Sequence, residues 1–217
     1  MIRIENIEVF NFEGALHGMR NPLESWEKSD SYYDKNNTYI IGEKDMALAL
    51  KLVKAGNEHA KFMRQVFISM DIAAPDYWWK EYATYKIGTV ENSTSTMHKL
   101  TSRLLTENDF SWDRFEIETN GRNELYYSLV IKNHKKTTLE SLNELISRYQ
   151  ETKDKRIWRA IIQQLPMSFN YRRTCSMNYQ VLRNMYFQRR YHKLEEWRDF
   201  CEVIEELPYS ELITIEK

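Results

Sequence analysis

Residues 165–189, LPMSFNYRRTCSMNYQVLRNMYFQR, constrain this chain more than any other stretch. After Leu165-Pro166, residues Arg172 to Met177 read as extended. Asn178 then offers an uncharged side-chain acceptor suited to capping a helix start, and the spacing predicts a helix over 178–190. Asn178 and Arg189 stand about three turns apart, and at about 3.6 residues per turn they return to nearly the same face. The apolar Leu182 and Met185 share that face. Arginine is the side chain best suited to a bidentate grip on phosphate or a planar carbonyl edge. A strand running into such a helix presents an amide and a cation on one surface.

Composition bounds the rest. The 217 residues are 42% hydrophobic and 13% aromatic, enough to bury a core, and residues 1–217 are expected to form a single domain. There are 31 basic and 32 acidic residues, for a net charge of −1. Nothing in that balance demands a nucleic acid or an anionic membrane as partner. A nucleotide-sized anion needs only a few placed cations. Cys175 and Cys201 are too few for a disulfide framework or a metal cluster, so a reduced, cytoplasmic setting is expected. The start MIRIENIEVF lacks the basic and long apolar regions of a signal peptide. No run approaches the ~18 apolar residues of a membrane span.

Along the chain, IRIENIEVF reads as an opening strand and 12–20 as a short helix. Residues 21–40 are polar and turn-like. Glu43 to Ala55 has helical apolar spacing, with Gly56 as a stop. A short helix is expected at 58–64 and a strand at 65–73. Pro75 fits the first turn of a helix over 76–86, followed by a Ser/Thr-rich loop at 88–96. The stretch 124–164 reads as helical, with breaks at 134–136 and 152–155. A last helix is expected at 193–206, closed by Pro208. The fold class is α/β or α+β, rich in helix, with a few strands.

Several chemistries are missing. There is no phosphate-binding Gly-rich loop and no Gly-x-Ser-x-Gly elbow. His17, His59, His98, His134 and His192 lack metal-ligand spacing. The two cysteines read as buried structural residues. Trp78, Trp79 and the tyrosines of 77–85 read as core aromatics.

Two stretches together resemble the flavin-dependent thymidylate synthase family. That family carries a Leu-Pro pair, then an Arg, then an Asn leading a helix. This chain matches without a gap at Leu165-Pro166, Arg172 and Asn178, and the helix continues to Asn184 and Arg189 at the family's spacing. Trp197 stands where the family has a Gln-Trp pair, one residue later. The second stretch departs from the pattern. Aligned on Pro75, Thr84-Tyr85-Lys86 occupies the place of the family's Arg-His-Arg, and Thr89, Glu91, Thr94 and Thr96 fall at its Ser, Asn, Ser and Arg positions. Gly56 and Glu58 are similar to a Gly-His-Glu element, with Arg64 where that element ends in His.

The resemblance implies a helix-rich fold with a small central sheet, assembled as a homotetramer. It implies FAD as cofactor, NADPH as reductant, methylenetetrahydrofolate as co-substrate and dUMP as the methylated nucleotide. From charge, hydropathy and ligand spacing, no nucleic acid or membrane partner and no metal is expected. By position, Asn178, Asn184, Arg64, Thr84 and Lys86 would contact the flavin. Arg172, Arg189, Glu81, Thr94, Ser95 and Thr96 would hold the nucleotide, and Arg189, Tyr85 and Thr94 would stand at the chemistry. Exchanging Arg for Thr84 removes a permanent charge and a planar donor fork. Tyr85 stacks as histidine does but titrates far above neutral pH. Thr96 in place of Arg leaves Thr94, Ser95, Thr96 and backbone N–H groups to hold that end, and consecutive N–H donors can cradle an anion. Two other readings stand beside this one: a non-catalytic relative serving nucleotide binding or assembly, and an unrelated helical domain, which a monomeric state would favour.

Overall fold

The computed structural model describes residues 2–112 and 122–216. Strand β1 (Arg3–Phe10) leads into helix α1 (Phe12–Arg20). Two 3-10 turns and a small antiparallel pair, β2 (Tyr32–Tyr33) with β3 (Tyr39–Ile40), occupy the polar segment before α2 (Glu43–Ala55). Then come β4 (Phe67–Pro75), α3 (Asp76–Tyr82), β5 (Val90–Ser93) and α4 (Thr96–Lys99). The remainder is α5 (Arg122–Thr152), α6 (Lys155–Gln164), β6 (Asn170–Asn178), α7 (Tyr179–Arg189), α8 (Glu195–Glu205) and α9 (Glu211–Thr214). Four strands pair in the order β1-β4-β6-β5. The mixed helix-and-strand class and the small sheet agree with expectation.

The chain divides into two compact units. One comprises residues 1–3, 72–82 and 93–173; the other comprises 4–71, 83–92 and 174–217. In the first, α5 and α6 lie against each other, and Leu100, Leu105, Phe110, Leu142, Ile146, Ile161 and Phe169 form its buried cluster. Within α3, Trp78, Trp79 and Tyr82 are all buried, in keeping with their expected core role.

The second unit gathers α1, α2, α7, α8 and α9. Leu182 and Met185 of α7, Trp197, Phe200 and Ile204 of α8 and Leu212 of α9 are buried together with Leu16 and Met63. A buried ion pair ties the polar segment to this body. Arg20 Nε donates to Asp45 Oδ1 at 2.6 Å, and the Ser29 and Ser31 hydroxyls both donate to Asp45 Oδ2 at 2.5 Å. Burial works to raise the Asp45 pKa, but the two hydroxyls and the Arg20 guanidinium outweigh it and hold the carboxyl below its ordinary value. Arg20 also donates to the Ser25 and Lys28 carbonyls, so its fork is fully engaged.

Several expected boundaries are corrected. Pro75 is the last residue of β4 rather than part of the following helix, and α3 ends at Tyr82, not at 86. The β-branched Thr84 and aromatic Tyr85 favour helix weakly, and the Tyr85 side chain is committed elsewhere, as described below. The loop at 88–96 contains strand β5 and the start of α4. Only Lys61–Arg64 of 58–64 is helical, as a 3-10 turn. His134-Lys135-Lys136 does not break α5. Adjacent like charges point to different sides of a helix, Lys136 pairs with Glu140 at 3.8 Å, and the Thr137 hydroxyl donates back to the Asn133 carbonyl at 2.9 Å. The break at 152–155 does occur, with Lys153 at φ 55° and Asp154 capping α6. Helix α9, beyond Pro208, was not expected. Both cysteines are buried, and burial pushes the Cys201 thiol up to about 12.

Candidate functional site

The strand-to-helix junction is built as the sequence suggests. Asn178 ends β6 in extended conformation and caps α7, its Oδ1 accepting from the Val181 N–H at 3.0 Å. Tyr179 N–H donates to the Val66 carbonyl at 3.0 Å, anchoring the first turn. Gly88 approaches this cap closely. Its φ is +79°, and a Cβ there would lie 3.0 Å from Val181 Cγ2 and 3.4 Å from Asn178 Nδ2. The positive φ favours glycine here, and any side chain would also have to displace Val181 slightly.

At the far end of α7 stands Arg189. Its Nε donates to the Tyr85 hydroxyl at 2.8 Å, and that hydroxyl donates to Gln188 Oε1 at 2.9 Å. The guanidinium lies 4.8 Å from the centroid of the Trp197 ring and 5.5 Å from that of Tyr85. The two rings meet at 62° with centroids 6.0 Å apart. Cation–π attraction and the hydrogen bond therefore fix the arginine in one place. Trp197 is fully buried and is held edge-on by Phe200 at 5.8 Å. The Thr89 hydroxyl donates to the Tyr85 carbonyl, closing the turn that carries Tyr85. Tyr85 thus reaches Arg189 from more than a hundred residues away.

The other expected residues fall out as follows. Thr84 and Lys86 flank Tyr85 and are exposed. Asn184 is exposed on α7, its Oδ1 accepting from Gln180 Nε2 at 3.2 Å. Arg64 is exposed at the end of the 3-10 turn Lys61–Arg64. All of these belong to the second unit, with Tyr85, Asn178 and Arg189. Glu81, Thr94, Ser95, Thr96 and Arg172 belong to the first. There the Thr94 N–H donates to the Arg172 carbonyl at 2.9 Å, bringing those two backbones together. Ser95 occupies the N-cap position of α4 and Thr96 is its first residue. Glu81 is half-buried on α3.

The residues expected to meet the flavin and those expected to meet the nucleotide thus separate by unit, apart from Arg189. Sequence reasoning missed Gln188, Gly88 and the structural use of Thr89. Only Gly88 carried a signal, as one of six glycines in the chain.

Among the described residues, no group of three or more His, Cys, Asp or Glu is placed to hold a metal ion. No described helix is long and apolar enough to cross a membrane.

No family model matches the sequence, and no curated protein matches it. Solved structures do match. Thymidylate synthase X from Helicobacter pylori, solved with FAD and dUMP, is 16% identical with a TM-score of 0.67, over 99% of this chain and 98% of that one. A second structure of the flavin-dependent thymidylate synthase from Helicobacter pylori, complexed with FAD and dUMP, is 16% identical with a TM-score of 0.68, over 97% and 98% of the two chains. The likeness is one of fold, carried across nearly the whole length of both proteins.

Proposed function

We propose that this chain is a flavin-dependent thymidylate synthase-like enzyme with an altered ring-facing segment, binding FAD and a uracil deoxynucleotide and transferring a one-carbon unit to pyrimidine C5. The observation that carries the reading is the full-length likeness of fold to structures that hold FAD and dUMP. The Arg189–Tyr85–Trp197 cluster supports it, because it uses residues that the motif resemblance selects. The reading treats residues 1–217 as one functional domain, assembled as a homotetramer.

The donor chemistry present suits a flavin nucleotide. Asn178 spends its oxygen on the helix cap, and its amide nitrogen is a donor beside the positive end of α7. Asn184 presents a second amide, and the exposed Arg64 and Lys86 supply cations for phosphate oxygens. When bound, FAD supplies the hydride, with NADPH as its reductant and methylenetetrahydrofolate as one-carbon donor. Arg189, held on two aromatic faces, favours negative charge developing on the pyrimidine. Arg172, with the Thr94–Thr96 segment and Glu81, fixes the nucleotide by charge and hydroxyl contacts. Tyr85 sets the position of Arg189 and presents a ring where the family has imidazole. A different C5 modification of a uracil nucleotide would use the same residues.

A second reading, a non-catalytic nucleotide-binding or assembly protein, is favoured by one observation. Thr84 carries no charge, and exposed Thr84 and Lys86 stand where the family has a pair of arginines. The visible absorption spectrum, taken with FAD and then with dUMP titrated in, separates the two. A bound-flavin spectrum that dUMP perturbs is expected. Failure to bind FAD at any workable concentration, with the oligomer intact, would leave the second reading in place.

A further inference from the structure

A cleft of about 660 Å³ opens in the second unit, and none of the residues expected to meet the flavin or the nucleotide lines it. Its walls are Phe10, Phe12, Tyr33, Tyr39 and Tyr209. Its polar groups are Glu13, Asn11, Asn37 and Thr38. Its size falls within the range of small-molecule sites, roughly 300–1,000 Å³. A second recess of about 210 Å³ shares Glu13, Tyr33 and Tyr39 with it and adds His17 and Trp26, which stack at 5.7 Å. The two recesses are parted by a hydrogen bond, Tyr33 Oη donating to Glu13 Oε2 at 2.8 Å.

Two ring pairs shape the walls. Tyr209 lies edge-on to Phe12 at 5.0 Å and 81°, and Tyr33 meets Tyr39 at 5.2 Å and 65°. Each pair therefore forms a corner rather than a stack. The Tyr209 hydroxyl is clamped, accepting from the Ile41 N–H at 2.9 Å and donating to the Tyr39 carbonyl at 3.4 Å.

Backbone strain collects here as well. Asn11, Asn37 and Tyr209, at φ 73°, 61° and 54°, all line the cleft. Asparagine tolerates this region; a tyrosine there is a true outlier, held only when its surroundings determine it. Such residues gather at binding and catalytic sites.

Charge then selects the ligand. Among the residues lining the larger cleft, Glu13 alone carries a charge, and no lysine or arginine is present. In the smaller recess the single arginine, Arg20, is committed to Asp45. A phosphate or carboxylate would find no counter-ion. Aromatic faces at corners with one carboxylate are what an alkylated ammonium requires: ring quadrupoles attract the diffuse cation, and the carboxylate balances its charge. We propose that this cleft binds a small organic cation, an alkylated ammonium with an apolar body, with Glu13 as its counter-ion. The site shares no lining residue with the one proposed above and needs neither flavin nor nucleotide.

The test titrates the intact protein with benzyltrimethylammonium chloride by calorimetry, following tyrosine ring resonances in parallel. Benzyl alcohol and benzoate serve as the neutral and anionic comparisons. Saturable binding of the cation is expected, with benzyl alcohol at least about tenfold weaker and benzoate silent. Glu13→Gln should weaken the cation about tenfold, while Tyr33→Phe, which keeps the ring and releases the carboxylate, should retain it. No saturable binding, equal binding of benzoate or benzyl alcohol, or an unchanged affinity in Glu13→Gln would overturn the proposal. Should Glu13→Gln lose its native circular dichroism, the ranking of the three ligands on the unaltered protein decides alone.

Discussion

Two tyrosines in the same unit play opposite parts. Tyr33 donates its hydroxyl proton to the carboxylate of Glu13 at the mouth of an aromatic cleft. The Tyr85 hydroxyl accepts a hydrogen bond from the guanidinium of Arg189 and donates one to Gln188 Oε1. The first arrangement surrounds an anionic group with rings and so favours a cation. The second seats a cation on ring faces and so favours an anionic or electron-rich partner. Identical rings thus belong to two surfaces of opposite preference, and the sign is set by the charged neighbour, Glu13 in one and Arg189 in the other. The hydrogen bond to Glu13, first among several causes, also holds the Tyr33 hydroxyl pKa above its ordinary value.

The sharpest way to separate the two surfaces is to remove Asp45. The Arg20–Asp45 pair is buried, and it holds the Ser29–Ser31 turn that leads directly into Tyr32–Tyr33. Asp45→Ala should cost about 3–5 kcal/mol in urea unfolding, because it strands a buried guanidinium. In whatever fraction stays folded, benzyltrimethylammonium binding should fall far more than dUMP binding; equal losses would show that the two surfaces are not independent. Next in size, Arg189→Ala should weaken dUMP about tenfold to a hundredfold while leaving the cation affinity unchanged. A protein whose dUMP titration ignores that change does not use Arg189 as proposed.

Tyr85→Phe keeps the ring and loses two hydrogen bonds. It should reduce dUMP affinity by less than Arg189→Ala, about fivefold by titration, since the cation–π contact with Trp197 persists. The smallest effect concerns acid. The Asp45 carboxyl titrates lower in the folded protein than in the unfolded chain, so its stabilising contribution is complete above the ordinary value of 3.8 and is lost as pH falls through the folded-state value. The urea midpoint should therefore drop on acidification below about pH 4, and Asp45→Asn should flatten that part of the profile. A profile unchanged by Asp45→Asn would assign the acid sensitivity to other carboxylates.

What was legible in the sequence was local. Asn178 as a cap, Gly56 as a stop, the strand expected at 65–73 and found at Phe67–Pro75, and the buried tryptophans of 77–82 each follow from neighbours in the chain. The motif spacing also marks Arg189, and the alignment on Pro75 marks its partner Tyr85 by position rather than by chemistry. The cleft was not legible, because its walls come from β1, α1, β2, β3 and the turn at Pro208-Tyr209, joined only in three dimensions. The segment 21–40 reads as polar turns because its order comes from Asp45 and Arg20 rather than from periodicity. The end of α3 was missed for a similar reason: helix propensity says little about a tyrosine recruited by an arginine far along the chain.

Because Asn178 is at once the last residue of β6 and the cap of α7, no spacer separates the two elements. Length changes here cannot be absorbed as they are in surface loops. One residue added after Asn178 would turn the helix by roughly 100°, carrying Arg189 off its indole seat. One residue added before it would invert the inside and outside of the strand behind it. Natural variants of this chain should therefore differ in which side chains they hang on this junction, and hardly ever in how many residues it contains.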